Sequence, residues 1–381
     1  MKCFNNRLIL LPFLWFIFVF THVQVLAEDT AGYLSVTGPC ELEFPEDHAS
    51  HSGYRTEWWY YTGNLKSAVG NRFGFQLTFF RRRIIPSASE NKWPTPASAW
   101  RTGQIYLAHA ALSDLDGKHH FYARDMGRGA LGIAGETRDI DIVRIFLKKW
   151  STRIAPNVHR LKVISDPFSF DLNLMPVKPA AFHGNEGYSR KGSTPERASC
   201  YYSLTRLHTK GQVSLDKKTV AVKGLSWMDH EFSSAPLEPG LVGWDWFGLQ
   251  LSDNTEIMIY LLRQKDRTFH AASSGTYISS NGKTRHLSRD DIEVTVTDTW
   301  NSPNSKAEYP ARWQLRIPSP AMDLIIFPNL ANQEMITKES TGVTYWEGSV
   351  SVRGIKEGRR IDGHGYAELT GYAKAFDAPL Y

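Results

Sequence analysis

The chain has 381 residues and a formal net charge of +5, and 42% of its residues are hydrophobic and 13% aromatic. No long block of Lys and Arg concentrates this weak positive charge, which argues against a nucleic-acid-binding protein. The sequence also lacks a phosphate-binding loop, a dinucleotide fingerprint and a Cys-x-x-Cys pair, so we expect no cofactor.

Residues 1–27 have the organisation of a secretory signal peptide. Lys2 and Arg7 form a short basic start, an apolar run follows over residues 8–20, and compact residues precede Ala27. The run is too short for a comfortable membrane span, although an uncleaved N-terminal anchor is the alternative. We therefore expect a secreted or periplasmic protein after cleavage near Ala27.

The rest of the chain alternates apolar and polar residues with the period of a β-strand. The stretch RFGFQLTFF (72–80) places four apolar side chains on one face: Phe73, Phe75, Leu77 and Phe79. Similar alternation recurs at 256–263, 291–300, 312–317, 346–354 and 363–372. Turn signals bound most of these segments, and no βαβ pattern is present. The sequence predicts an all-β fold of antiparallel barrels or sandwiches.

The length suits two domains better than one. YYSLTRL (201–207) has the pattern of a closing strand, and HTKGQ (208–212) that of a connector. We therefore predict an N-terminal domain over 28–207 and a C-terminal domain over 208–381. The long polar segment 178–198 is either a lid over a cavity or an exposed loop.

Two cysteines, Cys40 and Cys200, follow the leader. An even pair in an exported protein permits one disulfide, which would close a long loop. Two free, buried thiols are the alternative, because spacing alone does not show that the two residues meet.

The motif TEWWYYTGNL (56–65) places Glu57, Trp59 and Tyr61 on one strand face. If Glu57 points into a barrel, the surrounding aromatic side chains would raise its pKa and leave it available to a ligand. The alternatives are a solvent-facing carboxylate or a buried one paired with an arginine such as Arg55.

In LAHAALSD (107–114), small residues flank His109 and leave room for a ligand against the strand. A hydrogen-bonded structural histidine is the alternative interpretation.

The motif WMDHEFSS (227–234) carries the main candidates for chemistry. Its alternation puts Trp227, Asp229 and Glu231 on one face and His230 on the other. Two carboxylates at this spacing lie about 6.5–7 Å apart at their Cα atoms. In an apolar cavity they would not ionise together, so one would keep its proton near neutral pH and could act as a general acid. The alternative is a structural role as hydrogen-bonded struts.

Two further acidic residues belong to the same hypothesis. Asp245 lies between Trp244 and Trp246 and could join the site from a neighbouring strand, and Glu368 in 363–372 is an additional candidate. Ser234 stands where a zinc-protease helix would need its second histidine, so that motif fails. No spacing demands a metal and we predict none, although His109, His230 or Asp229 could bind one.

Several motifs together resemble a known family. In chain order they are RTEWWYYTGNL, FGFQLTFFR, AHAALSD, YYSLTRL, GLSWMDHEFSS, GWDWFGLQL and EIMIYLLR. This series resembles the AttH-like family of predicted secreted hydrolases, in the superfamily of the carotenoid 1,2-hydratases (hydroxyneurosporene synthases), from about residue 48 to 378. The resemblance implies two tandem lipocalin-like β-barrels with an apolar cavity in or between them. It also implies acid-catalysed hydration of a terminal isoprenoid double bond as one chemistry of the group.

The resemblance also suggests site residues. The candidate acid of the hydratases corresponds to Asp229, and an aromatic-flanked motif corresponds to Trp244, Asp245 and Trp246. Glu231 stands where the hydratases are expected to carry an uncharged residue, which argues against a carotenoid as the substrate.

We therefore expect a protein that binds an isoprenoid or lipid-like molecule and acts on it by hydratase, lyase or hydrolase chemistry. The expected catalytic residues are Asp229, Glu231, Asp245 and His230. The expected ligand contacts are Glu57, Trp59, His109, Trp227, Trp244, Trp246 and Tyr260. The first alternative is a non-catalytic periplasmic lipid carrier. The second is ester hydrolysis by water, with Glu231 and His230 as general bases, since no activated Ser or Cys is evident. Association with a membrane surface or a transporter, and the oligomeric state, stay open.

Overall fold

The computed structural model describes residues 32–376, and the expected signal peptide lies outside them. Most of this range is β-strand, and the strands form two curled antiparallel sheets. The prediction of an all-β fold with lipocalin-like barrels is therefore confirmed. The short helices are α1 (Ser87–Glu90) and the 3-10 turns Glu46–His48 and Arg289–Asp291. None of the described helices is long and apolar enough to cross a membrane.

The first sheet contains the first thirteen described strands. They are β1 (Thr56–Ser67), β2 (Arg72–Arg83), β3 (Gln104–Asp114), β4 (His119–Arg128), β5 (Ala134–Asp139), β6 (Ile142–Leu147), β7 (Trp150–Ala155), β8 (Val158–Ile164), β9 (Phe168–Pro176), β10 (Ala181–Phe182), β11 (Tyr188–Arg190), β12 (Ala198–Leu215) and β13 (Lys218–Ser233). The pairing order is β4-β3-β2-β1-β13-β12-β9-β8-β7-β6-β5, and β10 and β11 add to β12. Since β3 and β4 contact β5 and β6, the two ends of this sheet meet.

The second sheet contains the ten strands that follow. They are β14 (Leu241–Leu251), β15 (Glu256–Gln264), β16 (Ser274–Ile278), β17 (Thr284–Leu287), β18 (Glu293–Asn301), β19 (Glu308–Ile317), β20 (Met322–Pro328), β21 (Glu334–Ile336), β22 (Thr344–Lys356) and β23 (Arg359–Thr370). The pairing order is β17-β16-β15-β14-β23-β22-β20-β19-β18, and β21 pairs with β22.

Burial along the strands shows where the two sheets meet. β9 alternates buried and half-buried residues, because one face packs in a barrel core and the other meets solvent. By contrast, β1, β2 and β14 contain runs of consecutive buried residues, such as 59–63 in β1. Their inner faces fill the two barrel cores, and their outer faces pack against the opposite sheet. An apolar cluster that includes Tyr60, Trp227 and Trp246 lies at this contact.

The chain changes sheets at a different place from the predicted boundary at 207/208. β12 runs across this position, so HTKGQ is part of a strand rather than a connector. β12 and β13 form one long hairpin whose turn residues, Asp216 and Lys217, both have positive φ, as a type I′ turn requires. β13 then pairs with β1, which places WMDHE in the first sheet. The chain reaches the second sheet only between Ser233 and Leu241.

The segment before β1 is tied to the first sheet by a disulfide between Cys40 and Cys200, whose Cα atoms are 5.9 Å apart. Of the two cysteine arrangements left open by the sequence, the structure has the disulfide. The polar segment 178–198 contains β10 and β11 and reaches the second sheet. His183 bonds Thr276 there at 2.9 Å, so this segment helps to join the two sheets.

Candidate active site between the two sheets

Cross-strand pairing places Asp229 in a row of side chains on the outer face of the first sheet. Directly opposite residues of an antiparallel pair point to the same face. Read across β12, β13, β1, β2 and β3, the row is Ser203, Asp229, Tyr60, Thr78 and His109. The matching row of the second sheet, read across β15, β14, β23 and β22, is Tyr260, Trp246, Glu368 and Glu347. Acidic and aromatic side chains thus meet between the sheets.

Asp229 is 4% exposed and accepts three hydrogen bonds. Trp227 donates from Nε1 at 2.5 Å, the Tyr201 hydroxyl donates at 2.7 Å, and the Ser203 hydroxyl is the third donor. Burial raises the pKa of Asp229 to about 7, although these three donors oppose the rise; nearby Glu231 adds to it. Near neutral pH this carboxyl therefore exists in both protonation states, as a proton donor requires.

Indole rings lie beside the Asp229 carboxyl group. Trp227 and Trp246 approach edge to face with centroids 6.0 Å apart, and Trp246 meets Tyr60 in the same way at 5.2 Å. Trp246 also donates a hydrogen bond to the Tyr201 hydroxyl at 3.0 Å. Trp58 and Trp244 join this cluster but are only partly buried, so solvent reaches the cluster on their side.

Glu231 lies on the same face as Asp229 but is paired with a cation. It accepts a hydrogen bond from Ser199 at 2.5 Å and lies 3.1 Å from the Lys191 ammonium. Burial would lower the pKa of Lys191, but Glu231 and the neighbouring Tyr260 raise it overall. The ammonium also lies 3.8 Å from the centre of the Tyr260 ring. Glu231 is thus held as one half of an ion pair.

The second sheet contributes two carboxyl groups, Glu347 and Glu368, that face the same space. Burial raises the pKa of Glu368 to about 7 and that of Glu347 well above its ordinary value. Glu368 is the additional candidate that the sequence offered, whereas Glu347 was not predicted. Strand alternation puts Glu347 on the face of β22 opposite Trp346. If the second sheet stood alone, that face would be exposed to solvent.

His230 points away from Asp229, into the first barrel. Its Nε2 lies 2.9 Å from Glu57, and Trp59 stacks on its ring with centroids 4.9 Å apart. The predicted ligand contacts Glu57 and Trp59 therefore belong to the barrel interior and not to the Asp229 cluster. Since His230 and Glu231 point to opposite faces of β13, they do not meet as a pair of general bases for ester hydrolysis.

Glu57 is a buried ion-pair residue. Its partner is Arg81, at 2.8 Å, and not Arg55. Burial would raise the pKa of Glu57, but Arg81, His230 and His51 overcome it and hold the pKa well below its ordinary value. The carboxylate is thus a permanently charged strut, which was one of the alternatives that the sequence left open.

Among the described residues, His51, Glu57 and His230 offer atoms within 4.8 Å of one another that could hold a metal ion. Arg81 already neutralises Glu57. Burial would lower the pKa of His51, but Asp47 and Glu57 raise it to about 9, so this imidazole carries a proton at neutral pH. A cation would have to displace that proton beside a guanidinium, so the arrangement does not favour a metal.

Asp245 does not join Asp229. It lies on the face of β14 opposite Trp244 and Trp246, where Arg263 contacts it at 2.9 Å and the Tyr372 hydroxyl at 3.0 Å. Burial raises the pKa of Asp245 even though Arg263 opposes the rise. Asp245 thus shares a face of β14 with Phe247, in the core of the second sheet.

The remaining predicted ligand contacts hold the two sheets together. His109 binds the Tyr345 hydroxyl at 2.8 Å and the Ser340 hydroxyl at 2.9 Å. Burial lowers the pKa of His109 to about 3, so it is neutral. Tyr260 donates to the carbonyl oxygens of Arg190 and Ala272. Both side chains are occupied by protein partners.

Two surface cavities of the described residues lie away from Asp229. One, of about 360 Å³, adjoins Lys356 and Asp253. The other, of about 340 Å³, lies beside the Cys40–Cys200 disulfide and His51. Asp229 lines neither of them, because Trp227, Trp246 and Tyr60 occupy the space beside it.

Comparisons with known proteins place these observations in a family. The model of the AttH-like family matches residues 35–372. A crystal structure from Nitrosomonas europaea assigned to AttH is 30% identical, with a TM-score of 0.78, over 89% of this chain and 99% of that one. Kievitone hydratase from Nectria haematococca shares the fold, with a TM-score of 0.65 and 15% identity over 90% of this chain and 96% of that one. No curated protein matches the chain.

Proposed function

Since the chain belongs to the AttH-like family, we propose that it is a hydratase- or lyase-type enzyme in which Asp229 donates a proton to a carbon atom of an apolar substrate. The observation that carries this proposal is the setting of Asp229. It is a buried carboxyl between indole rings, with a pKa raised to about 7 by burial. A carboxyl ionised at neutral pH could not supply the proton, whereas one half protonated can.

The proposed reaction adds water to an alkene. The proton of Asp229 forms a C–H bond at one alkene carbon and leaves a carbocation at the other. The faces of Trp227 and Trp246 stabilise this cation. A water molecule then forms the C–O bond and loses one proton, so the sum is alkene plus water giving alcohol. The reverse sequence is dehydration.

The three donors around Asp229 suit its proposed role after proton transfer. They stabilise the carboxylate that remains, and they are held in place before the reaction begins. Tyr201 and Ser203 can turn their hydroxyl hydrogens to accept a bond from the protonated acid, whereas Trp227 can only donate. The acid is thus set to alternate between two forms.

We take the substrate class to be an isoprenoid or other lipid-like alkene, met outside the cytoplasm if the leader exports the protein. Access is proposed from the side of Trp58 and Trp244, which are partly accessible. The substrate must displace the rings that fill the space in this structure. Because a protein that shares the fold is named kievitone hydratase, water addition is the first reaction class to test.

The test incubates the chain from Glu28 onward with isoprenoid and lipid extracts and follows products by mass spectrometry. We expect a product heavier by one water molecule, absent with Asp229→Asn and present with the control Asp171→Asn. Asp171 lies on β9, away from the contact between the sheets, and forms a partly exposed ion pair with Arg160. Equal turnover by Asp229→Asn and the unsubstituted protein would reject the proposal.

Lipid carriage without chemistry is the second candidate. The full set of hydrogen bonds on Asp229 favours it, because a fully satisfied buried carboxyl also serves as a strut between strands. An unchanged lipid that copurifies, together with no product from any extract, would support carriage.

A further inference from the structure

Glu347 and Glu368 stand directly opposite each other on β22 and β23. Residues so paired have Cβ atoms about 4.5–5.5 Å apart and project from the same face of the sheet. On the other side of Glu368, Trp246 is its direct partner in β14. Glu368 therefore stands between Glu347 and Trp246, whose indole is linked to Asp229 through the Tyr201 hydroxyl.

The surroundings of this pair lack a compensating cation. Glu347 is 2% exposed, and its Oε1 has no hydrogen-bond partner in the described part of the chain. Glu368 accepts a hydrogen bond from Thr370 at 3.1 Å and is partly accessible. No lysine or arginine of residues 32–376 forms an ion pair with either carboxyl group. Two adjacent, unpaired carboxylates cannot both ionise without a large penalty.

The other titratable groups near the pair add negative charge or stay neutral. Burial is the main cause of the raised pKa of Glu368, and Asp229 and Glu231 of β13 raise it further. The hydroxyl groups near Glu347 belong to Tyr60, Tyr345 and Tyr366, whose pKa values are all raised well above the ordinary value by burial. The nearby Tyr60 hydroxyl opposes the rise in the pKa of Glu347. This hydroxyl nevertheless makes no well-aligned hydrogen bond. The Lys191 ammonium is paired with Glu231.

We propose that Glu347 and Glu368 hold one proton between them and form the proton-accepting half of the site opposite Asp229. This inference rests on the proposed function. When the oxygen of water attaches to the substrate cation, the water gives up one proton. The ionised member of the pair accepts it, and the proton then returns to solvent while Asp229 is reprotonated. In dehydration the pair donates this proton to the departing hydroxyl.

The pair suits this role better than the other acidic residues do. Glu231 is tied to Lys191, and Asp245 is tied to Arg263 on the far face of its strand. Only a carboxyl pair without a cation keeps one acid and one base side by side near neutral pH, as paired aspartates do. The second sheet would then contribute a proton acceptor to the site as well as aromatic packing.

The test counts charges and needs no substrate. Native electrophoretic mobility at about pH 8 is compared for the unsubstituted protein, Glu347→Gln, the double variant Glu347→Gln/Glu368→Gln, and the control Glu357→Gln at an exposed hairpin position. We expect no change in net charge for Glu347→Gln, because Glu368 takes up the negative charge. We expect one added positive charge for the double variant and for the control. A gain of one charge in Glu347→Gln would overturn the proposal.

A second measurement uses the unsubstituted protein, so it tests the proposal even if the variants fail to fold. Infrared spectra of the unsubstituted protein at about pH 8 should contain the carbonyl stretch of a protonated carboxyl group, and its absence would overturn the shared proton. Once a substrate is found, Glu347→Gln should lower kcat at least tenfold with little change in KM. Full kcat in Glu347→Gln, with none in Asp229→Asn, would reject the pair and keep the proposed function. Full kcat in Asp229→Asn would reject the proposed function itself.

Discussion

Trp246 of the second sheet donates a hydrogen bond to the Tyr201 hydroxyl of the first sheet at 3.0 Å. That hydroxyl in turn donates to Asp229 at 2.7 Å. The acid therefore depends on both sheets, since the residue that completes its hydrogen-bond chain comes from the opposite one. Contact between the sheets is in this way coupled to the proposed chemistry.

Trp246→Phe should cost about 1–2 kcal/mol of unfolding free energy more than the control Trp313→Phe. Each substitution trims a buried indole, but only Trp246 loses a hydrogen bond, because Trp313 Nε1 has no partner in the described structure. Urea denaturation of the two variants measures the difference. Equal losses would mean that the bond to Tyr201 contributes nothing.

Asp229 should make stability fall as the pH rises from about 4 to about 7. Its native pKa is raised from 3.8 to about 7, so the native state binds more protons than the unfolded state in this window. The effect is at most about 4 kcal/mol by linkage. Asp229→Asn should flatten the slope of unfolding free energy against pH, as measured by urea denaturation at several pH values. An unchanged slope would mean that Asp229 is already ionised at pH 4.

Glu57 should behave in the opposite way and act on stability alone. Its native pKa is held below the ordinary value, so its contribution is present above about pH 4.5 and is lost as the pH falls further. Glu57→Gln leaves Arg81 buried without its partner and should cost about 3–5 kcal/mol. Turnover per folded molecule should stay unchanged, and a specific loss of kcat would assign Glu57 a part in the chemistry.

The disulfide should be a major source of stability. Cys40 and Cys200 are separated by 160 residues, and closing a loop of this size contributes about 5 kcal/mol in the chain-entropy model. Reduction should lower the Tm of the native protein and leave the Tm of Cys40→Ser/Cys200→Ser unchanged. A reductant that lowers both values equally would be acting through something other than this bond.

Strand alternation predicted part of the candidate site. It correctly placed Trp227, Asp229 and Glu231 on one face, and Glu57 with Trp59 on one face of β1. The same rule puts Asp245 opposite Trp244 and Trp246, so flanking tryptophans in the sequence do not surround a strand residue in space.

What alternation could not supply was the contact between the sheets. A strand that packs on a second sheet can carry polar side chains on that buried face, as β2 does at Gln76 and Thr78, so the sequence pattern does not reveal which face meets which partner. Glu347 was missed for this reason, because its face is buried only once the sheets pack together. The predicted domain boundary at 207/208 falls inside β12 because the polar middle of this strand resembles a connector.

Turnover in D₂O, once a substrate has been found, tests the central claim most directly. If Asp229 delivers a proton to carbon, the product carries one non-exchangeable deuterium on carbon with the unsubstituted protein, and no such product forms with Asp229→Asn. A product without carbon-bound deuterium, or equal labelling by both proteins, would contradict the assignment of Asp229 as the acid.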